Sequence, residues 1–329
     1  MTNNQHVGRY TLLERLRAIS EFSIKPEVCL DNKERIYTYS HKIILEGVDF
    51  DLVYTPLKHL GYKAVVAVIG PIYAAGYTPT SISVLLALSS KLRSEQVEEL
   101  WMGVAAAKEA YKISKIGLDL LPSVTGLTIS LSACGEADRK RFAEKPACAS
   151  GDLLCVNGDL GAAYMGLQIL EREKRVFEQS SVQPNLERYK YPIQAYLNPR
   201  IDTTTIDTLN NSGITPSGGE FVANGLADAV KSLCHRCNLG AKIFMDKIAI
   251  AAQTSEVADE FNINPVTAAL NGGDDYLFLF VIPLSKYDKL LKEAPQLDIV
   301  GHLCDPAAGT VLVTPDGAKL ELKAQGWTY

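Results

Sequence analysis

The stretch Asn271-Gly-Gly-Asp-Asp-Tyr-Leu-Phe-Leu-Phe280 carries two glycines and two adjacent acids straight into an apolar segment with strand character. Glycine lets a backbone approach a ligand closely, and paired carboxylates at a strand mouth suit a hard cation such as Mg2+. A matching element lies upstream. There the apolar run Asp152-Leu-Leu-Cys-Val156 ends in Asn157-Gly-Asp-Leu-Gly161 and passes into a helix-like segment. Together the two elements point to a phosphate or nucleotide site.

The chain around them has 329 residues, too many for one ordinary core, so two domains are expected. Between Glu136 and Ser150 the composition turns to charged and small residues, which places the division at 1–145 and 146–329. The net charge of −5, with acids and bases interspersed and no basic run bearing aromatics, argues against a nucleic-acid partner. No apolar stretch reaches the roughly 18 residues of a membrane span, and the longest, Ala64 to Ala75, contains Gly70-Pro71. The N-terminus lacks the basic-then-apolar pattern of a secretory signal. Seven scattered cysteines do not form a disulfide framework, so the expectation is a cytoplasmic, reduced protein. Cys234-His-Arg-Cys237 has metal-like spacing but no second pair to complete four ligands, and reads as two thiols on a partly buried helix.

Periodicity gives an α+β chain. Helices are expected over Leu12 to Ile19, from Leu57 to about Ile69 with a break at Gly70-Pro71, Glu95 to Tyr111 behind Ser94, and Ala162 to Lys174. Others are expected over Asp202 to Ser212, Leu226 to Cys237, Thr254 to Phe261 and Ser285 to Glu293. Strands are expected within Glu34 to Phe50, over Ser81 to Ser89, Gly126 to Gly135, Asp152 to Val156, Ile243 to Ile250 and Leu277 to Ile282. A terminal hairpin turns at Pro315-Asp-Gly317. Phe177 to Tyr191 reads as a polar surface excursion.

In order along the chain, five motifs resemble those of bacterial thiamine-monophosphate kinases. They are Leu45-Glu-Gly-Val-Asp-Phe50, Thr55-Pro-Leu-Lys-His-Leu-Gly-Tyr-Lys63, Ile72-Tyr-Ala74, Gly151-Asp-Leu-Leu-Cys-Val-Asn-Gly-Asp-Leu-Gly161 and Gly272-Gly-Asp-Asp-Tyr276. That superfamily also holds aminoimidazole ribonucleotide synthetase, selenophosphate synthetase and a hydrogenase maturation factor. The resemblance covers roughly Leu12 to Trp327. It implies a two-domain aminoimidazole ribonucleotide synthetase-like fold whose N-terminal domains pair into a β-barrel at a homodimer interface. It implies as well ATP and several Mg2+ ions near that interface, and transfer of a phosphoryl group from ATP to thiamine monophosphate. Carboxylates hold the cations in such a site, because two anionic reactants repel until they are neutralised.

The chain departs from the family pattern at those carboxylates. Lys42 stands where the family has an aspartate, and Gly70-Pro71 where it has Ser-Asp. Gly117-Leu-Asp-Leu-Leu121 keeps only Asp119 of its segment, in an apolar setting. Phe221-Val-Ala-Asn-Gly225 loses both acids, and Leu277 replaces the acid that follows the Asp274-Asp275 pair. The resemblance then implies a remnant ligand site at Lys42, Gly158, Asp159, Gly161, Gly225, Gly272, Asp274 and Asp275, with Asp119 as the surviving metal ligand. Lys42 is either a solvated strand lysine or a phosphate-binding charge, and Asp159 shapes a turn or binds ligand. Two functions stand open. One is a catalytically degenerate protein that retains a nucleotide or phosphorylated small molecule. The other is an active ATP- and Mg-dependent phosphotransferase with a rearranged site.

Overall fold

The computed structural model describes residues 15–16, 18–19, 30–181 and 183–324. The helix expected over Leu12 to Ile19 lies largely outside them. The first part of the chain runs β1 (Leu30–Asp31), β2 (Arg35–Leu45), α1 (Leu57–Ala74), β3 (Thr78–Ser89), α2 (Ser94–Ala110), β4 (Lys115–Ser123), β5 (Thr128–Asp138) and α3 (Arg139–Ala143). Its five strands form one curled sheet in the order β1-β2-β5-β3-β4.

The second part runs β6 (Leu153–Val156), α4 (Ala162–Ser180), α5 (Lys190–Leu197), α6 (Thr203–Asn211), β7 (Gly218–Val222), α7 (Leu226–Cys237), β8 (Gly240–Phe244) and α8 (Ala252–Glu260). It continues through α9 (Pro265–Asn271), β9 (Leu277–Ile282), α10 (Tyr287–Glu293), β10 (Asp298–Cys304), β11 (Thr310–Val313) and β12 (Lys319–Glu321). Its sheet has seven strands in the order β12-β11-β8-β10-β6-β9-β7.

β6 and β9 read as unbroken apolar runs because both of their faces are buried. Leu153, Cys155, Phe278, Phe280 and Ile282 point into the core that holds α1. The alternate residues Leu154, Val156, Leu279 and Val281 enter a second core with α7. Helix α1 is thereby shared, packing on β2 and β5 on one side and on β7 and β9 on the other.

That position explains the first departure from expectation. Gly70-Pro71 does not break α1, which runs to Ala74 with Pro71 inside it. A proline within a helix costs about 3 kcal/mol, but every residue from Ala64 to Gly70 is buried, and burial on both sides holds the helix through the proline. Gly70 also makes room for Phe221, whose ring atoms lie 2.2–2.4 Å from where a Cβ would stand.

The expected excursion over Phe177 to Tyr191 is shorter, since α4 continues to Ser180 and α5 begins at Lys190. Strand β4 was not legible. It lies at the sheet edge with nearly every residue exposed, so no inside–outside alternation marks it. Asp119 therefore sits on an exposed edge strand, in place of the apolar setting expected for it.

Candidate functional site

The two stretches that suggested a site are neighbours in space. β6 and β9 pair antiparallel, with Val156 opposite Leu279, so Asn157–Gly161 and Asn271–Tyr276 emerge at the same end of the sheet. Asn157 fastens them: its Oδ1 accepts the Phe278 N–H at 2.6 Å. Asp275 reaches across to the start of α4, accepting the Gly161 N–H at 2.9 Å and the Ala163 N–H at 3.3 Å. These are two of the amide groups that a helix start leaves unpaired, and an acid there also complements the helix dipole.

Asp274 turns the other way. Its backbone is left-handed (φ 61°), its N–H donates to the Ala223 carbonyl, and its carboxylate meets the Lys63 ammonium at 2.8 Å. Lys63 comes from the buried face of α1, so this ion pair joins the N-terminal helix to the C-terminal loop. The ammonium also lies 3.7 Å from the centroid of the Tyr196 ring and 5.8 Å from that of Tyr276. Such faces attract a cation. Asp159 is exposed and accepts the Tyr191 hydroxyl at 3.1 Å. Burial, with the Asp159 charge behind it, pushes Tyr191 up to about 12, and the phenol stays protonated as a donor.

Burial likewise drives the Asp275 carboxyl up to about 7, against the pull of its two N–H donors and with help from the Asp274 charge. An edge of Asp275 reaches solvent, but its dense surroundings govern the direction. The folded protein thus holds this proton over a range where the unfolded chain, near 3.8, has released it. The associated stability is fully present below about 4 and is lost as the pH rises through about 7. Denaturant titrations from pH 4 to 8 are expected to show this fall. In Asp275→Asn, which keeps an acceptor for α4, the fall should flatten; an unchanged pH profile in that variant would contradict the assignment.

The structure brings Asp159, Asp274 and Asp275, with Gly158, Gly161 and Gly272, to one end of β6 and β9. Gly225 joins them from the start of α7, where a Cβ would lie 2.3 Å from the Leu270 carbonyl oxygen. Gly161 (φ +82°) would place a Cβ 2.9 Å from the Ala269 nitrogen. Both glycines are required by backbone packing alone.

Lys42 and Asp119 stand on opposite faces of the first sheet. Cross-strand register puts Lys42 in line with Leu131, Val84 and Leu118, on the face that α1 covers. Asp119 falls in line with Leu85, Ser130 and Ile43 on the other face. Its carboxylate accepts the N–H of the next residue, Leu120, at 2.8 Å.

Sequence reasoning assigned no role to Lys63, Tyr191 or Tyr196. Lys63 did carry a signal, as a lysine heading the apolar run Ala64 to Ile69, where a charge needs a partner. The two tyrosines lie on a helix that was not expected, and nothing in their spacing marks them.

Comparison with known proteins bears on this geometry. Residues 28–137 match the family model described as AIR synthase related protein, N-terminal domain. The thiamine-monophosphate kinase of Aquifex aeolicus (strain VF5) is 26% identical, over 99% of each chain. That of Bacillus subtilis (strain 168) is 21% identical, over 92% of this chain and 93% of the other. The chain is thiamine-monophosphate kinase-like, with an AIR synthase-like N-terminal part. A solved structure of AaThiL complexed with AMPPCP and TMP superposes with a TM-score of 0.80 at 23% identity, covering 98% of both chains. E. coli HypE, a hydrogenase maturation protein, shares the fold at a TM-score of 0.66 and 16% identity, over 87% of this chain and 85% of the other.

Mg2+ would need several free oxygen ligands in near-octahedral array. In this thiamine-monophosphate kinase-like chain Asp274 is neutralised by Lys63, Asp275 is committed to the start of α4, and Asp119 stands on another sheet. No group of three or more His, Cys, Asp or Glu side chains among the described residues could hold a metal ion. The donor set does not fit Mg2+. No helix among the described residues is long and apolar enough to cross a membrane.

Proposed function

We propose that this thiamine-monophosphate kinase-like chain binds a nucleotide or a phosphorylated small molecule at the end of β6 and β9 without metal-dependent phosphoryl transfer. The observation that carries this reading is the Lys63–Asp274 pair. An acid that would serve a cation is spent on a buried lysine. The division into domains at residues 145 and 146 belongs to the reading, with the site where α1 meets the second sheet. So does a cytoplasmic homodimer. β4 is an unpaired sheet edge with Leu118 and Leu120 about half exposed (46% and 50%), which a second copy would cover.

The alternative, an active ATP- and Mg-dependent phosphotransferase, is favoured by the full-length similarity to thiamine-monophosphate kinases. Isothermal titration of ATP, first with Mg2+ and then with EDTA, separates the two when combined with an assay for ADP formed in the presence of thiamine monophosphate. The expected result is binding that EDTA does not weaken, with no turnover. Binding that requires Mg2+ and is accompanied by ADP release would establish the phosphotransferase instead.

A further inference from the structure

Two cysteines far from this site stand together in a second place. Cys148 lies in the connector between α3 and β6, and Cys237 is the last residue of α7. Both line one cavity of about 290 Å³, with Lys145, Glu220 and Arg236. Cys148 also donates to the Ser217 carbonyl, at 3.5 Å. Neither thiol is fully buried. Gly218 leaves room for the Cys148 sulfur, which would lie 2.9 Å from a Cβ there. Nothing in the thiamine-monophosphate kinase-like reading uses this pair.

We propose that Cys148 and Cys237 form a reactive dithiol that a small hydroperoxide, entering the cavity, oxidises to a disulfide. Cys148, as thiolate, attacks the outer peroxide oxygen. The O–O bond breaks, the sulfur becomes a sulfenic acid, and the departing alkoxide or hydroxide takes a proton to leave as alcohol or water. The Cys237 sulfur then attacks the sulfenic sulfur, an S–S bond of about 2.04 Å forms, and the hydroxyl leaves as water with the Cys237 proton. Two thiols lose two hydrogens and one peroxide is reduced.

The surroundings divide the roles. The interaction with Cys237, ahead of burial that acts against it, brings Cys148 down to about 7, with the Ser217 side chain and Lys145 on the same side and Asp152 opposing. The same partnership raises Cys237, with burial and Cys234 adding and Arg236 opposing. Glu220 is held by Arg236 at 2.7 Å, so its charge is neutralised at the cavity wall. Cys148 is the attacking thiol and Cys237 the resolving one. At pH 7 about half of Cys148 would be thiolate, against about 3% of an ordinary cysteine, roughly a fifteenfold excess. The lower nucleophilicity of an acidic thiol trims the rate advantage to about threefold.

The test is to treat the intact protein with hydrogen peroxide over pH 5.5–9, quench, alkylate under denaturing conditions and map the peptides. The expected product is a Cys148–Cys237 cross-linked peptide, lighter by two hydrogens, whose rate of formation rises with a midpoint near pH 7. In Cys237→Ser the sulfenic acid should persist on Cys148 and be trapped by dimedone. In Cys148→Ser no cross-link and no dimedone adduct at Cys237 should form. If the wild-type protein instead yields Cys148 and Cys237 separately alkylated, at peroxide doses that already oxidise exposed Cys134, the dithiol is not a redox couple and the proposal fails. A cross-link whose rate follows an ordinary thiol titration near pH 8.5 would overturn the assignment of Cys148 as the attacking group.

Discussion

Asp274→Asn is expected to cost about 3 kcal/mol of stability, and Lys63→Met distinctly less, although each removes one half of the same ion pair. The asymmetry follows from exposure. The Lys63 side chain is 7% exposed and the Asp274 side chain 33%. Without Asp274, an ammonium is left in the interior, supported by the Tyr196 face at 3.7 Å. A desolvated cation–π contact is worth about 2 kcal/mol, short of a buried charge's lost hydration. Without Lys63, Asp274 turns its carboxylate towards water, and methionine refills most of the volume of the lysine stem. Asparagine tolerates the left-handed backbone at position 274, so the substitution tests the charge and not the conformation. Urea denaturation of the two variants beside the parent gives the comparison. Equal losses, or a larger loss for Lys63→Met, would mean that Lys63 does not depend on this acid.

The same pair shows what was and was not legible in the sequence. β6, α7 and β9 could be read closely because each is buried along a continuous stretch and flanked by glycine or a turn. Asn157–Gly161 and Asn271–Tyr276 were read together from glycines and acids set beside apolar runs, and the antiparallel register of β6 with β9 brings them to the same end of the sheet. The resemblance to thiamine-monophosphate kinases was carried by motif order, which single substitutions leave intact, and the full-length similarity bears it out. What stayed hidden were partners far apart in the chain. Asp274 and Lys63 are separated by 211 positions, so no local pattern could reveal that one neutralises the other. Lys42 and Asp119 were grouped with the remnant site by the family pattern, yet strand register sends them to opposite faces of a different sheet. An edge strand such as β4, wet on both faces, carries no alternation from which that register could be inferred.

Gly225→Ala is expected to cost about 4 kcal/mol or more, enough to unfold a marginally stable domain. Two costs add. The backbone at Gly225 has φ 90° and ψ 160°, a region open almost solely to glycine, where another residue pays about 1–3 kcal/mol in strain. The methyl group would also lie 2.3 Å from the Leu270 carbonyl oxygen, 2.8 Å from its carbon and 2.9 Å from the Asn271 Cα. All three are backbone atoms where α9 ends against the start of α7, so relief requires separating two helices. Gly47→Ala is the control. It too has a positive φ, of 79°, but nothing lies within 4 Å of its Cβ position, so strain alone should cost about 1 kcal/mol. Thermal and urea unfolding of both variants separates strain from collision. The comparison also decides what the glycine is for. If Gly225→Ala keeps the parent's stability and loses only nucleotide binding, the residue serves close approach of a ligand. If stability collapses while Gly47→Ala barely moves, the glycine is a packing requirement of the frame, and the binding chemistry must be sought in Lys63, Asp159 and the acid pair.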